Sequence, residues 1–80
     1  MDPQDTWNDL LEARSQRDWD RAEELANALL GWLQRRGFPP LTIGDRELGT
    51  RWHHSVAYFV CHLVLADVRP ASKRTKRQRA

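Results

Sequence analysis

The residues best suited to chemistry gather in one stretch, RWHHSVAYFVCHLVL, where His53, His54, Ser55, Tyr58, Cys61 and His62 fall within residues 51 to 65. Imidazoles act as general bases and metal ligands near neutral pH, and a thiol in an electropositive setting is a nucleophile. Spacing decides whether these groups can cooperate. On a helix, His54, Tyr58 and His62 at i, i+4 and i+8 share one face, with the two imidazoles about 12 Å apart along the axis. That is too far for both to bind one metal ion, whose ligands lie about 2 Å from it. His53 and Cys61 stand at the same interval, and a ligand from another helix would have to complete either pair. Cys61 lies among Val60 and Leu63, in apolar surroundings that keep a thiol protonated and inert. Ser55 has no glycine-rich strained turn around it, and no glycine loop is present to cradle a phosphate. No residue is therefore assigned a catalytic, cofactor-binding or metal-binding role, and the chain reads as non-enzymatic.

Two other features carry a functional expectation. Residues 69 to 80 contain Arg69, Lys73, Arg74, Lys76, Arg77 and Arg79 and no acid, six of the 13 basic residues, leaving seven basic against 11 acidic residues in 1 to 68, a net −4. An acidic body with a basic tail is expected to anchor to phosphates without reading sequence, since no aromatics interleave the cations to stack on bases. Nucleic acid is accordingly one candidate partner. The second feature is four tryptophans in 80 residues. A small core rarely encloses four indoles, so one or two are expected to line a contact surface for a protein partner or a second copy. Trp19, Trp32 and Phe38 are the candidate interface residues.

The elements that must position these groups are helical. In DWDRAEELANALLGWLQRRGFPP, Trp19, Ala22, Leu25, Ala26, Leu29, Leu30, Trp32 and Leu33 recur at three- and four-residue spacing and form one broad apolar face. Asp18 or Ser15 can cap the start, acids fill the first turn, and Arg35 and Arg36 stand where the helix dipole favours cations. Gly37 supplies a left-handed terminus, and Pro39 and Pro40 forbid continuation. Upstream, Trp7, Leu10 and Leu11 make a short stripe, with Asp2 and Pro3 or Thr6 and Asp9 as start signals. That stripe stops at Arg14, which places a break near Ser15 to Arg17 and predicts a helical hairpin. One continuous helix from about 5 to 36 is the rival, since no glycine or proline forces the break.

The segment WNDLLEARSQRDWDRAEELANALL is similar to the helix-turn-helix unit of tetratricopeptide repeats, with an aromatic-Asp-x-Ala element opening its second helix. The resemblance implies a helical hairpin. It covers less than half of the chain, the turn lacks the usual small residue, and no second copy occurs at a period near 34, so the family's peptide-groove function is not carried over.

GFPPLTIG is a loop whose Phe38, Leu41 and Ile43 are expected to fold over the end of the core, with Thr42 or Asp45 capping the next helix. From about 46 to 68 a third helix is predicted, starting at Arg46 or, because Gly49 weakens the first turn, at Thr50, and ending at Pro70. Length favours helix over strand. The expected architecture is all-α: a three-helix bundle made of a hairpin over about 5–36 and a third helix over about 46–68, packed around Trp7, Leu25, Leu29, Leu33, Trp52, Phe59 and Leu63. The helical domain is residues 1–68, and 69–80 is a disordered basic tail.

A single cysteine excludes an intramolecular disulfide and favours a reducing, cytoplasmic setting. The acidic residues 1–11 do not resemble a secretory signal, and the longest apolar run, Val56 to Ala66, is too short for a membrane span of about 20 residues. The leading expectation is a small module that binds a protein partner or itself through an aromatic-rich apolar surface, with no cofactor and no membrane. The alternative is a nucleic-acid-associated protein anchored by its tail.

Overall fold

The first two long helices begin where an aspartate can satisfy free amides. Asp2 accepts from the Gln4 and Asp5 amides at 2.9 and 3.4 Å, and Pro3 occupies the first helical position, where no amide is needed. Asp18 accepts from the Arg21 amide at 3.4 Å. The computed structural model describes the backbone of residues 1–79 and the side chains of residues 1–68. Its α-helices are α1, Pro3–Ser15; α2, Trp19–Gln34; and α3, Thr50–Arg79, with a 3-10 turn at Arg46–Leu48. The predicted hairpin is present, and its break falls at residues 16–18.

The two helix ends inside the bundle share one motif. After α1, the Arg17 and Asp18 amides donate to the Arg14 and Ala13 carbonyls; after α2, the Arg36 and Gly37 amides donate to the Leu33 and Trp32 carbonyls. These nested bonds require a left-handed residue, here Arg17 (φ 58) and Arg36 (φ 63). Gly37, expected to take that conformation, instead supplies room: a Cβ there would overlap the Trp32 indole. Asp18 both closes α1 with its amide and opens α2 with its carboxylate.

α2 is the central helix and packs on both neighbours, while α1 and α3 approach each other less closely. Its Ala22, Ala26, Leu29, Leu30 and Leu33 meet Trp7, Leu10 and Ala13 of α1 and Ala57, Cys61, Val64 and Val68 of α3. Of the expected core, Trp7, Leu29 and Leu33 are buried and Leu25 packs against it half-buried. Trp52, Phe59 and Leu63 are not in it, being 45%, 67% and 44% exposed. The reason is rotational. α3 is uncharged from Trp52 to Ala66, and turning Ala57 and Cys61 towards α2 lets the backbones approach closely, whereas the larger side chains would hold α3 away.

Of the two starts expected for α3, Thr50 is the one used and not Arg46, because Gly49 at φ 93 is incompatible with a continuous helix and leaves Arg46–Leu48 as an isolated 3-10 turn. Other expectations are corrected. The α3 backbone runs through Pro70 to Arg79. Proline removes one bond at a cost of about 3 kcal/mol, which a helix anchored along its buried face can sustain. The disordered tail expected at 69–80 concerns residues whose side chains lie outside the described ones. In the loop, Pro40 covers the core, while Phe38, Leu41 and Ile43 are exposed. Neither Thr42 nor Asp45 caps α3: the Thr42 hydroxyl contacts His53, and Asp45 makes no capping bond.

Candidate interaction surface

Apart from Ser55, which is exposed, the chemically capable residues of α3 are tied into hydrogen bonds, ring stacking or the core. His53 is 2% exposed, and the Thr42 amide donates to its Nδ1 at 3.0 Å, so Nδ1 is unprotonated and Nε2–H donates to the Asp45 carbonyl at 2.9 Å. Both ring nitrogens are thereby committed to holding the loop. His54 stacks on Tyr58 with ring centroids 6.3 Å apart, Tyr58 meets the edge of His62 at 4.6 Å, and His54 Nε2–H donates to the Leu33 carbonyl at 3.3 Å. The three rings form a ladder along the helix, as their spacing requires, and not a convergent site. Burial of Cys61 pushes its thiol up to about 12, so it stays protonated and unreactive at neutral pH. Among the described residues, no three His, Cys, Asp or Glu side chains converge as a metal ion would need.

A cleft of about 300 Å³ lies between the loop and the start of α3, lined by Phe38, Pro39, Leu41, Arg46, Gly49, Thr50 and His53. Its one imidazole is already committed to Thr42 and Asp45, so the cleft presents no free base.

The proposed interface residues separate. Trp32 is half-buried, and its Nε1–H donates to the Phe38 carbonyl at 2.8 Å. This brings Trp32 and Phe38 together, with Phe38 itself 78% exposed. Trp19 packs half-buried against the core at the opposite end of α2, about 20 Å along the axis. The six basic residues from Arg69 to Arg79 lie where no side chain is described.

The larger exposed apolar surface is on α3, where the residue pattern predicts core. Trp52, Val56, Phe59 and Leu63 have a 4-3-4 spacing and form one stripe, with Val56 half-buried and the other three exposed. From Trp52 to Ala66 there is no Asp, Glu, Lys or Arg, although Ser55, Tyr58, Phe59, His62, Leu63 and Ala66 all reach solvent. Solvated helix faces normally carry charge. Beside this stripe runs the open edge of α1, where Gln4 bonds both the amide and the carbonyl of Leu41, and Arg14 pairs with Asp67 at 3.0 Å. Leu11, seven residues on from Gln4, shares that edge and is 41% exposed. The surplus of tryptophan is visible in the sequence, and the absence of charge over residues 52–66 is the signal that marks this exposed apolar face.

Among the described residues, no helix is long and apolar enough to cross a membrane. No family model matches the chain, and no curated protein or solved structure matches it significantly.

Proposed function

We propose that this chain is a non-enzymatic helical interaction module, working in a reducing, cytoplasmic setting, that binds protein through the outward face of α3. The observation that carries this reading is the uncharged, exposed stripe of Trp52, Phe59 and Leu63 on a helix whose opposite face is fully packed. Interface centres are depleted of charge and enriched in aromatics, in the way this face is. Exposed tryptophan and phenylalanine make strong anchors when a partner desolvates them. The reading does not need Trp19, whose face serves the core; Phe38, held beside Trp32, is an outlying contact.

The test is a photoreactive benzoylphenylalanine placed at Phe59 or, on the outer face of α2, at Ala28, and irradiated in the cells that make the protein. Covalent protein adducts are expected at position 59 and not at 28. Absence of any adduct at 59, of whatever mass, refutes the module.

A second reading rests on the six cations of residues 69–80. Such a segment binds phosphate backbones with an affinity that falls steeply with salt. Generic DNA or RNA should be retained by the full chain at about 50 mM salt and lost on deletion of 69–80; no binding by the full chain ends this reading.

A further inference from the structure

The stripe on α3 is its own complement. We infer that the occupant of this face is a second copy of the chain, docked through an antiparallel, two-fold α3–α3 contact; the inference rests on the interaction-module reading and names its partner.

Three observations carry it. First, the spacing of Trp52, Val56, Phe59 and Leu63 reads 4-3-4 in either direction, so reversing one helix superposes the stripe on itself. Trp52 of one copy then meets Leu63 of the other and Val56 meets Phe59, each pair joining a large side chain to a smaller one. A two-fold contact requires that self-complementarity, because residue i touching j implies j touching i. The residues also occupy the a and d positions of a heptad seam, the geometry in which two helices interlock side by side.

Second, the face is electrically compatible with itself. Residues 52–66 carry no Asp, Glu, Lys or Arg, so two copies meet without like-charge repulsion and without burying an unpaired charge. Asp67, beyond the stripe, is neutralised by Arg14 of its own copy. Antiparallel docking keeps the two six-cation C-terminal segments at opposite ends of the contact. A parallel arrangement would set Arg51 near Arg51 and send both six-cation C-terminal segments to one end, which is repulsive.

Third, the area sets the strength. The exposed parts of Trp52, Phe59 and Leu63 amount to roughly 300 Å². That is less than half of the roughly 800 Å² that each partner contributes to a standard stable interface. The contact is therefore a reversible, concentration-dependent dimer and not an obligate one. The buried core that each copy already possesses is consistent with this, since both α1 and α3 are packed on α2 within the monomer.

Sedimentation equilibrium of the full chain between about 1 and 200 µM should show a monomer–dimer equilibrium. Phe59→Asp places a charge at the centre of the contact twice over and should weaken dimerisation about 100-fold or more. Because Phe59 is 67% exposed, the variant should keep its helical circular dichroism. Orientation is read from spin labels at Ala66→Cys in a Cys61→Ala background. Antiparallel docking separates the two labelled positions by about 25 Å along the axis, whereas parallel docking places them side by side. A monomer across the whole range, a dimer untouched by Phe59→Asp, or label separations of about 10 Å each overturn the proposal. A monomeric chain that still gives adducts from position 59 in cells rejects the second copy while leaving the interaction module standing; the loss of both rejects both.

Discussion

Arg17 and Arg36 hold the left-handed backbone that glycine ordinarily provides, and each does so to complete the hydrogen bonds closing a helix. A residue with a Cβ incurs about 1 kcal/mol or slightly more in this conformation. Arg17→Gly and Arg36→Gly are thus each expected to stabilise the fold by about 1 kcal/mol, a rise of about 4–8 °C in Tm for a domain of this size, measured by thermal melts. Gly37 is not equivalent: Gly37→Ala displaces the Trp32 indole from the Phe38 carbonyl and should lower Tm. Cys61 makes the stability pH-dependent. Its thiol titrates near 9.0 when free and about 12 when buried, so the folded state binds this proton more tightly. The stabilising contribution is complete below pH 9 and is lost as pH rises from 9 towards 12. Denaturant titrations of the wild type should decline over that window more steeply than those of Cys61→Ala, and a thiol reagent should label the native protein far more slowly than the unfolded chain.

At the scale of elements, α3 turns the small side chains of Ala57 and Cys61, beside Val64 and Val68, into the seam with α2. Ala57 is fully buried, and Ala57→Leu must push the helices apart or force strained rotamers. The expected cost is about 1–3 kcal/mol, read as a shift in the urea midpoint. This seam also explains what the residue pattern did and did not reveal. α2 alternates apolar and charged faces, so its buried residues Leu29 and Leu33 were readable, as were its start at Asp18 and the break before it. α3 has no charge between Arg51 and Asp67 to mark an outward side. Bulk favoured Trp52, Phe59 and Leu63 as core; close approach of backbones selected Ala57 and Cys61. The candidate surface was hidden by the same ambiguity. An excess of tryptophan was visible, but which indole faces out depends on a rotation of α3 about its own axis that hydrophobicity alone leaves open.

For the molecule as a whole, the loop between α2 and α3 is fastened from three sides: by Gln4 of α1 at Leu41, by Trp32 at Phe38, and by His53 and Trp52 at Thr42, Asp45 and Ile43. The surface ion pairs Arg14–Asp67 and Arg21–Asp9 add little, about 0–1 kcal/mol each, so raising salt should shift the melting temperature by only a few degrees. Neighbour-on-neighbour packing through α2 has a kinetic consequence. Each main interface joins helices consecutive in the chain, so contacts form across short loops and the relative contact order is low. Chains of that kind fold in microseconds to milliseconds. The α1–α2 hairpin, closed by Asp18 within three residues, is the unit with the smallest loop-closure entropy and the natural nucleus onto which α3 docks.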